Sequence, residues 1–143
     1  MLNKNSKDFY ITTDGDLAID EIRGDLQTVD AKGMEIFKQH MMRRLMTSRG
    51  DFLFNPDQGA SISDFVGLKN SAETGQLIKS QIMSALTSDN LFRAGGLDIK
   101  VFPMDQNTIA MLLITRVSSL EDDNYAIGFS YDLRDNKIIP RKL

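Results

Sequence analysis

The side chains with most chemistry to offer are four glutamates, Glu21, Glu35, Glu73 and Glu121, and a single imidazole, His40. Glycoside cleavage needs little more than two such carboxyls, one kept protonated as an acid and one ionised as its partner. Keeping a carboxyl protonated takes an apolar or aromatic enclosure. The sequence supplies none: Glu21 falls at a strand end, Glu35 and Glu73 in first helical turns, and Glu121 in the acidic loop "SLEDDN". A Ser-His-Asp triad would depend on His40 alone, and its setting beside Met41 on a helix suits a surface or satisfied core histidine.

Other sites fail on spacing or composition. The chain has no cysteine, which removes disulfides, Cys-ligated zinc and thiol catalysis. "DGDLAIDEIRGD" starts like a calcium loop, but a liganding position falls on Ala18, the obligatory glycine position on Ile19, and the terminal glutamate position on Asp25. There is no G-x-x-x-x-G-K-[ST] phosphate loop, no G-x-G-x-x-G fingerprint and no G-x-S-x-G elbow. The expectation is a protein without catalytic residues, cofactor or metal.

Charge narrows the partners. The net charge is −3, and the carboxylates gather in turns, whereas a nucleic-acid binder displaces counterions with a basic stripe. Arg43, Arg44 and Arg49, with His40 one turn upstream, form the nearest thing to one, and no nucleic-acid partner is expected. "MLNKNSKDFY" has no apolar core and nowhere do about 18 apolar residues run together, so neither a signal peptide nor a membrane span is expected.

The elements that must position these groups follow from periodicity. The 143 residues fit one domain, 1–143, with enough chain to bury a core. "DFYITTDGDLAID" alternates about Asp14-Gly15, which favours a tight hairpin between strands Phe9–Thr13 and Asp16–Ile22. A break at Arg23-Gly24-Asp25 leads to "LQTVD", where Asp30 is placed to cap a helix. From Ala31 to about Ser48, Met34, Phe37, Met41 and Leu45 recur at helical spacing, and Met42 and Met46 broaden that stripe. Such a methionine-rich stripe reads as a core face filled by adaptable side chains. Gly50 suits the left-handed end of the helix.

A second helix starts near Asn70 or Ser71, has Glu73 in its first turn, presents Leu77, Ile78, Ile82, Ala85 and Leu86 on one face, and ends before Leu91. Gly95-Gly96 breaks the chain. Beyond it, "LDIKVFPM", "TIAMLLITRVSS", "YAIGFSYDL" and "KIIPRKL" read as an antiparallel meander joined by polar turns. "IAMLLI" is apolar on both faces, which predicts a central strand covered by a helix on one side, and Pro140 predicts an edge strand. The fold class is α+β: an N-terminal β-hairpin and two amphipathic helices packed on a C-terminal antiparallel β-meander.

"RLMTSRGDFLFNPDQG" carries a further signal. Its R-L-x-T-x-x-G-D, formed by Arg44, Leu45, Thr47, Gly50 and Asp51 and followed by Pro56 and Gly59, resembles the baseplate wedge and sheath-initiator family of contractile phage tails. That family is often described as lysozyme-like and extends to R-type bacteriocins and type VI secretion baseplates. The resemblance runs from about Asp14 to Leu86, and members usually carry Glu where this chain has Asp51.

The resemblance implies a structural, non-enzymatic virion protein of the tail baseplate, assembled in the host cytoplasm. Its partners would be baseplate wedge proteins and the tail sheath protein, with tail tube or hub proteins as further contacts. Arg43, Arg44, Arg49 and Asp51 are the candidate wedge contacts, with Arg44 and Asp51 equally able to pair inside the domain. Leu45, Thr47, Gly50, Pro56 and Gly59 shape the motif and its turns. Strand spans Thr108–Val117 and Tyr125–Leu133 are the candidate docking strands for the sheath. A muralytic tail enzyme and a soluble binding module unrelated to tails are the alternatives.

Overall fold

A computed structural model describes residues 7–12, 16–30, 34–88, 92, 94–116 and 124–141. Short strands β1 (Lys7–Phe9), β2 (Ile19–Asp20), β3 (Asp25–Leu26) and β4 (Thr28–Asp30) come first, then helix α1 (Met34–Met46). A 3-10 turn (Ile62–Phe65), helix α2 (Ala72–Thr87) and a second 3-10 turn (Ala94–Gly96) lead to β5 (Leu97–Pro103), β6 (Thr108–Arg116), β7 (Asn124–Asp132) and β8 (Lys137–Arg141). The class is α+β, and β5-β6-β7-β8 form one antiparallel sheet in that order.

The N-terminal segment is more elaborate than one hairpin. β1 pairs with β4, and β2 with β3, while among the described residues the two predicted strands meet at the Ile11–Leu17 bridge and the hydrogen bonds that flank it, from the Thr12 N–H to the Asp16 carbonyl and from the Ala18 N–H to the Tyr10 carbonyl. The chain changes partners at Tyr10, whose N–H donates to the Gln27 carbonyl while its own carbonyl accepts from Ala18. Predicted strand Phe9–Thr13 is thus shared between two neighbours. The β2–β3 turn is closed by Asp20, whose Oδ1 accepts from the N–H groups of Ile22 and Arg23, and by Gly24 at φ 65°. The stretch that starts like a calcium loop therefore spends an acidic side chain on a turn. Asp14-Gly15 lies outside the described residues.

Both helices form where periodicity puts them. In α1, Ile36, Phe37, Met41 and Leu45 are buried. In α2 the Ser71 Oγ accepts from the Thr74 N–H at 3.2 Å, closing the N-terminus, and Ile78, Ile82, Ala85 and Leu86 point inward. Two predicted core positions do not. Met46 and Leu77 are each 56% exposed, because the buried arc of each helix is narrower than its apolar stripe. Phe37 meets Phe92 edge to face, with ring centroids 6.4 Å apart.

The meander buries one face. Ile99, Ile109, Met111, Leu113, Ile127, Phe129 and Tyr131 share a core with both helices. α2 lies against β5, close enough that a Cβ on Gly75 would sit 3.4 Å from Val101. β6 is central, with nine residues paired to β7 and seven residues of β5 on its other side. The opposite face of "IAMLLI" carries the half-buried Ala110, Leu112 and Ile114. β8 is an edge strand, as Pro140 predicts.

Candidate functional site

The motif residues build a loop that closes on itself. After α1 the Thr47 Oγ1 donates to the Arg43 carbonyl at 2.6 Å. The chain leaves at Thr47 and returns at Ser61, whose N–H donates to the Thr47 carbonyl, while the Ala60 N–H donates to the Arg44 carbonyl. Between these stems the Gly50 N–H donates to the Pro56 carbonyl at 2.8 Å, and the Asn55 N–H to the Phe52 carbonyl. Such a loop, with adjoining ends and its own hydrogen bonds, is a compact surface feature.

Each motif residue has a place in it. Gly50, at φ 92°, turns the chain, and Gly59, at φ 118°, passes so close to Thr47 that a Cβ would collide with the Thr47 carbonyl oxygen. Asp51 Oδ2 accepts from the Ser48 N–H at 3.1 Å, and the Arg49 N–H donates to Ser61 Oγ at 2.8 Å. Leu45 is fully buried.

The four candidate wedge contacts separate. Arg49 and Asp51 are exposed on the loop, with Arg49 Nη2 donating to Ser84 Oγ. Arg43 is half-buried and reaches Asp8, its Nη2 3.6 Å from the carboxylate oxygen that lies 3.8 Å from His40 Nε2. Arg44 is 5% exposed and donates from Nη1 to the Ala85 carbonyl at 3.1 Å, joining α1 to the end of α2. Its guanidinium is spent inside the domain, which corrects its assignment as an outward contact.

The candidate docking strands need a correction too. β6 and β7 each have a strand on both sides, so their backbone groups are already paired and neither offers an edge. Thr108 lies opposite Asp132, and Tyr125 opposite Thr115. Leu133 is buried, its N–H donating to Asn107 and its carbonyl accepting from Gly67. Val117 lies outside the described residues. The outer strands are β5 and β8, and among the described residues no strand pairs with their outer sides.

Two features escaped sequence reasoning. Phe52, Leu53 and Phe54 stand exposed at the loop tip, Leu53 at 85% and Phe54 at 92%. The signal was present, since three consecutive large apolar residues between Gly50-Asp51 and Asn55-Pro56 leave no room for all to turn inward. The second is a cleft of about 270 Å³ between the N-terminal segment and α1, lined by Tyr10, Ile11, Met42, Met46 and Pro140 with Glu35, Lys38 and Arg43 among its polar groups. It joins residues more than a hundred positions apart, which no local pattern encodes.

Two ionisable groups are shifted by their surroundings. Burial, with the Asp132 and Asp64 charges adding to it, pushes the Tyr131 phenol up to about 12. Its hydroxyl lies 2.8 Å from the Ile62 carbonyl and 3.0 Å from Asn136 Oδ1. The Asn107 N–H, followed by bonds from Thr108, holds the Asp105 carboxyl below its usual range. Among the described residues no three His, Asp or Glu side chains gather to hold a metal ion, and no helix is long and apolar enough to cross a membrane.

Comparison of the chain with protein-family models, with characterised proteins and with solved structures found no significant match.

Proposed function

We propose that this chain is a non-enzymatic assembly protein of a contractile-tail baseplate, which binds inner wedge proteins and templates the first sheath ring by strand addition. Its other contacts in that setting are tail tube or hub proteins. The observation that carries the reading is the four-stranded antiparallel meander with an open edge. β5 pairs seven residues with β6 on one side and with no described strand on the other. An edge of that kind presents N–H and C=O groups in register for an incoming strand.

The docking edge is therefore β5, displaced from the inner strands that the sequence alone suggested. β8 is shorter, five residues against seven, and its Pro140 falls inside the strand, whereas Pro103 stands at the very end of β5. The R-L-x-T-x-x-G-D residues support the same reading through shape: they build a hydrogen-bonded loop that carries Arg49 and Asp51 outward as the wedge-facing charges.

A seeding assay tests this. Purified sheath protein is followed by light scattering and electron microscopy, alone and with this chain added. The expected result is a shortened lag, with rings or tubes nucleated at this protein and new protection from hydrogen exchange at alternate amides of Leu97–Phe102. An unchanged lag with no new protection at β5, in the presence of wedge proteins, would overturn the proposal. Peptidoglycan cleavage lost on replacing a single Glu would point to a muralytic enzyme instead.

A further inference from the structure

The unpaired edge of β5 is not equally exposed along its length. The Met104 N–H donates to the Thr108 carbonyl at 2.9 Å, and hydrogen-bonded pairs alternate along an antiparallel ladder. Phe102, Lys100 and Asp98 therefore bond to Ala110, Leu112 and Ile114 of β6, while the N–H and C=O groups of Val101, Ile99 and Leu97 point away from it. An incoming strand would pair with those three residues. Yet Ile99 is 0% exposed and Leu97 6%, with Val101 half-buried. An edge facing open water would leave the carbonyl oxygens of all three accessible.

The path of α2 accounts for the difference. Gly75 lies over Val101, where a Cβ would sit 3.4 Å from that side chain, and Asn70, just before the helix, donates to the Asp105 and Thr108 carbonyls beyond the end of β5. From there α2 runs back along β5 toward Leu97. Four helical residues advance about 6 Å and two strand residues about 6.6 Å, so the row Gly75, Lys79, Met83 keeps step with Val101, Ile99, Leu97. Each step of four also turns about 40° around the helix axis, away from the buried Ile78, Ile82 and Ala85 and out over the edge. Lys79 and Met83 are both half-buried, and Met83 packs against the core.

We infer that the Lys79 and Met83 side chains form a lid over the β5 edge, covering Ile99 and Leu97, and that Gly75 leaves Val101 as the open end. A partner strand pairs first at Val101 and displaces the lid as it extends toward Leu97. Both lid side chains are unbranched, and the lysine head stays in water as its stem swings aside, so opening takes side-chain rotation and no movement of the helix. The lid is a property of this chain alone; that the strand it admits belongs to the sheath rests on the reading above.

The test is residue-resolved hydrogen exchange on the full chain without any partner, for wild type, Lys79→Ala and Met83→Ala. Alanine keeps the helix and removes the cover. In wild type the Ile99 and Leu97 amides are expected to exchange more slowly than the Val101 amide, although none of the three bonds to β6. Lys79→Ala should speed exchange at Ile99, and Met83→Ala at Leu97, by roughly tenfold or more. The Asp98 and Lys100 amides, bonded to β6, report the stability of the sheet and should stay unchanged. Ile99 and Leu97 amides that exchange as fast as Val101 in wild type overturn the inference, as does exchange that neither variant alters, or that rises equally at Asp98 and Lys100. Sheath protein then tests the other reading separately: both variants should shorten the lag further than wild type does. Faster exchange in the variants, with a lag that neither they nor wild type change in the presence of wedge proteins, upholds the lid and overturns the sheath strand as its partner.

Discussion

The Gln39 side chain stands where a neighbouring strand would stand beside Ile11. Its Oε1 accepts from the Ile11 N–H at 2.8 Å, and its Nε2 donates to the Phe9 carbonyl at 2.8 Å. One carboxamide thus imitates a peptide group of a parallel neighbour and fastens the N-terminal strands to α1. Gln39→Leu leaves a part-buried N–H and carbonyl without these partners, at a cost of about 1–3 kcal/mol. Hydrogen exchange would show the loss as faster opening of residues 7–30, with α2 and the meander little changed. Gln39→Glu keeps only the acceptor and should fall between.

Gly59 and Gly24 both have positive φ but differ in their surroundings. A Cβ at Gly59 meets the Thr47 carbonyl, whereas nothing lies within 4 Å of one at Gly24. Gly24→Ala should cost about 1–2 kcal/mol from its left-handed backbone alone. Gly59→Ala adds a collision that only movement of the loop stem relieves, so its loss should be larger. Urea midpoints of the two variants give the comparison directly.

Arg44 and Arg49 should respond oppositely to charge reversal. Arg44→Glu puts a carboxylate beside the Ala85 carbonyl in a buried site, which should destabilise the fold by roughly 3–5 kcal/mol. Arg49→Glu changes an exposed side chain and should stay within about 1 kcal/mol of wild type. If the loop faces a wedge protein, Arg49→Glu weakens that binding while the melting curve stays in place. Thermal denaturation run beside the binding measurement separates the two effects.

Tyr131 makes the fold sensitive to alkali. Its phenol ionises near 10 when unfolded and at about 12 when folded. Between these values the unfolded state has released the proton that the folded state still holds, so stability falls as pH rises. The contribution is whole below pH 10, declines from 10 to 12 and then levels off. Tyr131→Phe should abolish this part of the decline while lowering stability at neutral pH by about 1 kcal/mol through the lost bond to Ile62. Melting temperatures of both proteins from pH 8 to about 12 would show the two curves converging.

Much of the local structure was legible in the sequence because neighbouring residues determine it. Helical spacing marked α1 and α2, Ser71 supplied a cap beside Glu73, and alternation broken by Asp105-Gln106-Asn107 and Asp135-Asn136 marked the four strands of the meander. Glycine positions in "RLMTSRGDFLFNPDQG" marked turns, and positive φ at Gly50 and Gly59 agrees.

What the sequence by itself determined was which stretches become helix, strand or turn, since periodicity and turn chemistry act over a few residues. Only the tertiary structure decided where side chains and edges ended up. Arg44 turned inward because Ala85, forty-one positions away, offered its carbonyl. β6 and β7 lost their open edges because β5 and β8 paired with them. Tyr10 exchanged one strand for another because Gln27 and Ala18 both reached it. These outcomes depend on contacts between distant segments, whereas a residue's type and its immediate neighbours constrain only the conformation it starts from.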